Sequence, residues 1–218
     1  MFENYDTLKW GEALSDMKCH GTIVARCSYS YAKGVLSRIK GKFIELITES
    51  VGFQDFTEYE NFEECIAFIE DFMVKNGPFD GLLGFSQGAV LAAALPGMQA
   101  EGLVLTKVPK VKFLILISGG KLGGSKYGAP PLAANAFSSP VNCPSLHLIG
   151  ENDFQKPESI DLLDSFVDPM VVHHPEKHTI PSLDDQSLEV VNNFIEKIRN
   201  HAATCIATSY GDNINSHL

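Results

Sequence analysis

A chain of 218 residues with 44% hydrophobic content can bury one sizeable core, which sets disorder aside, and is too polar to be built around a bilayer. Its 27 acidic and 17 basic side chains give a formal charge of -10, which repels phosphate backbones and sets aside nucleic acid or an anionic membrane as the main partner. The five cysteines, Cys19, Cys27, Cys65, Cys143 and Cys205, are odd in number and scattered without a C-x-x-C pair, so neither a disulfide framework nor a zinc site is expected.

In chain order, MFENYDTLKWGEALSD lacks a basic start followed by an apolar run, and no later apolar stretch is long enough to span a bilayer. A cytoplasmic protein without a membrane span is expected. GTIVARCSYSY and KFIELI each offer a strand within residues 1–52. From Asn61 to Gly77, Phe62, Cys65, Ile66, Ile69, Phe72 and Met73 recur at helical spacing, with Asn61 and Glu64 as a capping pair and Gly77-Pro78 as the stop.

FDGLLGFSQGAV, residues 79–90, begins apolar, tightens into Gly84-Phe85-Ser86-Gln87-Gly88, and runs into AVLAAAL, whose residues favour helix. That order is strand, sharp turn, helix. A serine on such a turn sits on strained backbone with its hydroxyl projecting from the sheet edge, and glycines are needed where a side chain would strike the crossing helix. VKFLILIS (111–118), SLHLIG (145–150) and MVVHH (170–174) read as buried parallel strands, and SIDLLDSF (159–166) and LEVVNNFIEKIRN (188–200) as helices. Strands alternating with helices imply an α/β fold, a mostly parallel sheet flanked by helices with right-handed crossovers. The division expected is an α/β core over 53–200 behind a divergent N-terminal part of uncertain structure, 1–52, with 201–218 as a flexible polar tail.

A serine hydroxyl is a poor nucleophile at neutral pH. It needs a histidine to take its proton and an acid to fix the histidine's tautomer, and in a parallel sheet both come from loops at the carboxyl ends of strands. Glu151 and Asp153, after SLHLIG, both qualify as the acid on chemistry, and His178 lies on the loop beyond the next strand. Ser86, Asp153, His178 follow the order that this hydrolase architecture imposes. His173, His174 and His178 do not make a metal site, because Pro175 breaks any helix that would align them; no metal or other cofactor is expected. GGKLGGSKYG (119–128) is no P-loop either: Ser125 precedes Lys126, and Gly128-Ala129-Pro130-Pro131 follows in place of a helix. It reads as a loop over the pocket mouth.

The segments DFTEYENFEECIAFIEDFMVKNGPFDGLLGFSQGAVLAAALPG, KVPKVKFLILISGG, CPSLHLIGENDFQKP and HHPEKHTIP resemble the FSH family of serine hydrolases, its plant members above all, from about Phe53 to Arg199. The resemblance implies an α/β-hydrolase fold and hydrolysis of a small-molecule carboxyl ester or thioester. By position it puts the nucleophile on Ser86, the acid on Asp153 and the base on His178. The first fifty residues depart from the family pattern, and Cys19-His20-Gly21 stands where a Leu-His-Gly turn is expected. The oxyanion hole is then expected from the N–H of Gln87 plus an N–H of the early turn, that of Gly21 or Thr22. Two functions follow: a serine hydrolase working through an acyl-enzyme, or an impaired relative that binds an apolar ligand or partner without turning it over. Whether residues 18–30 form the strand beside that of Ser86 separates them. The oligomeric state is not legible.

Overall fold

The computed structural model describes residues 22–28, 43–49, 62–123 and 128–214, with side chains over 62–123 and 128–200. Six strands form one sheet: β1 (Thr22–Ser28), β2 (Phe43–Glu49), β3 (Gly81–Phe85), β4 (Phe113–Ile117), β5 (Ser145–Gly150) and β6 (Met170–His174). Neighbours in the sheet are neighbours in sequence; β1 runs antiparallel to β2 and every later pair is parallel. Helix α1 (Phe62–Asn76) leads into β3, α2 (Gln87–Ala100) leaves it, α3 (Lys156–Leu163) joins β5 to β6, and α4 (Asp185–Ile214) follows β6.

When parallel strands are added in one direction, right-handed crossovers put their connecting helices on the same face. The core divides accordingly. One face joins Leu82, Leu114 and Leu116 of the sheet to the apolar sides of α1 and α2 and to Leu162 of α3. The other joins Leu83, Phe113, Ile115, Ile117, Leu146, Leu148 and Val172 to Val191, Phe194 and Ile195 of α4. The alternation along β3 and β4 is the strand period of two. Each aliphatic side chain withdrawn fully from water contributes about 1.5–3 kcal/mol. The small side chains of α2, with Ala89, Ala92, Ala93 and Ala94 all buried, let it lie close against β3 and hold the turn before it in place.

The strands offered by GTIVARCSYSY and KFIELI are β1 and β2, and both are hydrogen-bonded into the sheet. Other expectations are corrected. The strand beside β3 is β2, and Thr22 begins the edge strand beyond it. Helix α4 continues past Asn200 to Ile214, where a flexible tail was expected; residues 215–218 lie outside the described residues. Helix α3 begins at Lys156, ahead of the expected Ser159, because Pro157 suits a first helical turn. It stops at Leu163, and Phe166 forms a bridge with Val141, the Val141 N–H donating to Ser165 O at 2.8 Å. The capping partner Asn61, the turn Cys19-His20-Gly21 and Ser125-Lys126 lie outside the described residues. Among the described residues no helix is long and apolar enough to cross a membrane.

Candidate active site

The turn at Ser86 follows from steric necessity. Ser86 has φ 55° and ψ -122°, a conformation that non-glycine residues rarely adopt and that costs about 1–3 kcal/mol. It is held from two sides: its N–H donates to Ile117 O on β4 at 3.0 Å, and its carbonyl accepts the N–H of Ala89 at 3.0 Å and of Val90 at 3.1 Å. A Cβ on Gly84 would lie 2.5 Å from Ala89 Cα and 2.5 Å from Gly88 O, so only glycine lets α2 cross the strand this closely. Gln87 is the first residue of α2, and its N–H has no carbonyl one turn earlier to bond within the helix.

The acid comes from the opposite side of β4. Beyond Gly150 the chain turns so that the Asp153 N–H donates to Gly150 O at 3.2 Å, while Asp153 Oδ1 accepts the N–H of Gln155 at 2.8 Å. The side chain of Asp153 is 0% exposed. A Cβ on Gly150 would meet Glu176 O at 2.8 Å, Asp153 Cβ at 3.0 Å and His174 Cε1 at 3.0 Å, so this glycine makes room for both loops.

His178 closes the arrangement. Its Nδ1 lies 2.9 Å from Asp153 Oδ1 and 3.1 Å from Oδ2, and its Nε2 lies 2.9 Å from Ser86 Oγ. An ionised carboxylate only accepts, which puts the proton of a neutral imidazole on Nδ1 and leaves Nε2 to accept from the serine hydroxyl. Hydrogen bonds lace the His178 loop to the Asp153 loop: the Glu151 N–H donates to His174 O at 2.8 Å, and Asn152 Nδ2 donates to Pro175 O at 2.7 Å. Two rings lie against the imidazole, Phe85 with its centroid at 5.0 Å and Phe154 at 4.4 Å.

Glu151, the alternative acid, is exposed and engaged elsewhere. It pairs with Lys156 and with His173 Nδ1, and the Lys156 hydrogen bond, ahead of the smaller His173 contribution, holds its carboxyl below the usual range. His173 and His174 end β6 pointing opposite ways, as the strand period demands: His173 is exposed, and His174 is 2% exposed with neither ring nitrogen partnered. Burial is the main reason that the His174 imidazole is held below its usual range. Among the described residues no cluster suited to a metal ion occurs. Burial pushes the Cys143 thiol up to about 12, so it offers no competing thiolate.

Thr22 is not brought to this site. It pairs with Glu49 of β2, and β2 stands between β1 and the Ser86 strand, so its backbone lies roughly 10 Å to the side of β3, two strand spacings away. The contacts of Phe85 and Phe154 with His178 were not foreseen, because nothing in the sequence tells which side chain of one loop returns over a histidine of another.

Curated relatives named as esterases are similar to this chain. "Esterase C25G4.2" of Caenorhabditis elegans is 36% identical over 125 residues, covering 56% of this chain and 53% of that protein. "Esterase OVCA2" of Homo sapiens is 34% identical over 122 residues, covering 55% and 51% respectively. The chain thus spans about half the length of these relatives. Among solved structures, a fungal esterase from Rhizomucor miehei aligns over 93% of this chain and 94% of its own with TM-score 0.44 and 13% identity. The family model described as "Serine hydrolase (FSH1)" matches residues 47–190 and contains Ser86, Asp153 and His178. With that model spanning well over half of the 218 residues, the chain belongs to the FSH1 serine hydrolase family, with its α/β-hydrolase fold.

Proposed function

We propose that this chain hydrolyses small-molecule carboxyl esters or thioesters through a covalent acyl-enzyme, with Ser86 as nucleophile, His178 as general base and acid, and Asp153 as the group that fixes His178. The observation that carries this reading is the continuous hydrogen-bonded run from Ser86 Oγ through both nitrogens of His178 to the buried carboxylate of Asp153. Serine hydrolase family membership supports it, as does the esterase naming of the relatives.

In this mechanism His178 Nε2 takes the hydroxyl proton as Ser86 Oγ attacks the acyl carbon. The imidazolium then gives that proton to the departing alcohol or thiol, and the acyl group remains on Ser86 as an ester. Water, deprotonated by His178, attacks the acyl-enzyme; the acid leaves and Ser86 recovers its proton. Asp153 remains ionised throughout and stabilises the imidazolium. The oxyanion formed at each attack is met by the N–H of Gln87. Scattered cysteines, with the Cys143 thiol buried, support a reducing, cytoplasmic setting.

The test is labelling with a fluorophosphonate, whose phosphorus is attacked quickly only by an activated hydroxyl, together with turnover of a simple ester. Labelling of the wild type at Ser86, abolished in Ser86→Ala and accompanied by turnover, is the expected result. Labelling that persists in Ser86→Ala overturns the assignment of the nucleophile. Labelling without turnover favours the binding-only reading, which the displacement of Thr22 from the site keeps in play.

A further inference from the structure

His178 is restrained in its own plane by the two hydrogen bonds at its nitrogens, which leave the tilt of the ring free. That freedom is limited by the two phenyl rings. Phe85 ends the strand that carries the nucleophile, and Phe154 follows the acid directly in sequence. Their centroids stand 5.0 Å and 4.4 Å from the imidazole, inclined at 35° and 36°. The dipeptide Asp153-Phe154 therefore acts on His178 twice, the carboxylate at Nδ1 and the ring against its π-system. Phe154 is 54% exposed. An exposed phenylalanine alone carries no meaning; its contact with the imidazole is what counts.

We propose that Phe154 is a positioning residue for His178 and that its ring steadies the imidazolium formed as Ser86 or water attacks. A cation within about 6 Å of an aromatic centroid is attracted by the ring quadrupole, by an amount that depends on how far the pair is desolvated. The side chain of His178 is 15% exposed, which places the pair between the solvent-exposed and desolvated limits. In turnover the imidazolium forms as Ser86 or water attacks, so this attraction acts in the transition state and raises kcat more than it lowers KM. The imidazole is also met by Asp153 at Nδ1, Ser86 at Nε2 and the ring of Phe85.

The proposal rests on His178 acting as the base. It is tested by measuring hydrolysis of p-nitrophenyl butyrate against pH for the wild type and for Phe154→Leu, Phe154→Tyr and Phe154→Trp. Leucine keeps the apolar bulk and removes the quadrupole; tyrosine and tryptophan keep it. Phe154→Leu is expected to lower the kcat plateau about threefold to thirtyfold with KM changed less than about twofold. Tyrosine and tryptophan restore kcat. A leucine variant matching the wild type overturns the proposal, and so does an equal fall in the leucine and tyrosine variants. A wild type that neither hydrolyses esters nor takes up a fluorophosphonate at Ser86 overturns the hydrolase reading itself, a different outcome from either of these.

Discussion

The turn that carries Ser86 and the loop that carries His178 meet in one hydrogen bond, yet different forces hold them. Ser86 sits between a strand and a helix packed in the core, and its backbone is fixed by Ile117 O, by the start of α2 and by the absence of a side chain at Gly84. His178 lies outside regular structure. It is kept in place by contacts from a neighbouring loop, namely Asp153, Asn152 reaching Pro175 O, and the ring of Phe154. Local sterics and burial set the first half of the site, and polar and aromatic contacts distant in sequence set the second. Damage to the first half is therefore expected to appear as lost stability, and damage to the second as lost rate in a folded protein.

The largest effect tests whether the halves work as a unit. Ser86→Ala and His178→Ala are each expected to lower kcat/KM about 10⁴-fold or more, and the double variant no further, whereas His173→Ala stays within about twofold. Additive losses in steady-state ester assays would show that His178 works apart from Ser86. The next effect separates the halves. Gly84→Val forces a side chain into the backbone of Gly88 and Ala89, and urea unfolding is expected to show a loss on the order of 3 kcal/mol. A variant as stable as the wild type would mean that the turn has slack.

A pH effect belongs to the strand that leads to Asp153. His147 on β5 is 2% exposed, with Nε2 3.0 Å from Ser145 Oγ and its ring edge-on to Phe166, and burial lowers it from 6.5 to about 4. Below the unfolded value the unfolded chain binds a proton that the folded chain refuses. The stabilisation is therefore complete above about pH 6.5 and is lost as pH falls towards 4. From about pH 7.5 to about pH 5 this amounts to about 2 kcal/mol, and urea titrations of His147→Gln should lack that part of the slope. An identical slope in the variant would assign the pH dependence to another group. The smallest effect belongs to the loop half: Asn152→Ala removes the bond to Pro175 O and is expected to lower kcat about threefold to tenfold while stability changes by less than about 1 kcal/mol. A larger change in stability than in rate would erase the distinction between the halves.

The same division governs what the sequence revealed. Gly84, Ser86 and the apolar runs on either side report on each other at short range, so the turn and the strands through Met170–His174 were legible from spacing alone. Glu151 and Asp153 stood level on chemistry. The structure turns Glu151 outward to Lys156 and Asp153 inward to His178, a choice made by a two-residue turn that no periodicity records. Strand order is non-local, so the position of Thr22 at the sheet edge had no signal along the chain. The reach of α4 to Ile214 was missed for another reason. No apolar face recurs beyond Asn200, while Ala202, Ala203 and Ala207 favour helix without one.

The uneven coverage of the two sheet faces has a consequence for biosynthesis. Helices α1, α2 and α3 cover one face from segments that lie between the strands, but among the described residues the other face is covered by α4, which follows the last strand. As the chain leaves the ribosome, Leu83, Ile115, Ile117, Leu146 and Leu148 have, among the described residues, no helix to rest on until Val191, Phe194 and Ile195 have been made. During that interval the nascent sheet presents a water-exposed apolar surface that invites chaperones or self-association. A ribosome stalled before residue 185 should accordingly carry a chain that recruits a holdase, and one stalled far enough beyond residue 200 for α4 to emerge should carry a chain that no longer does.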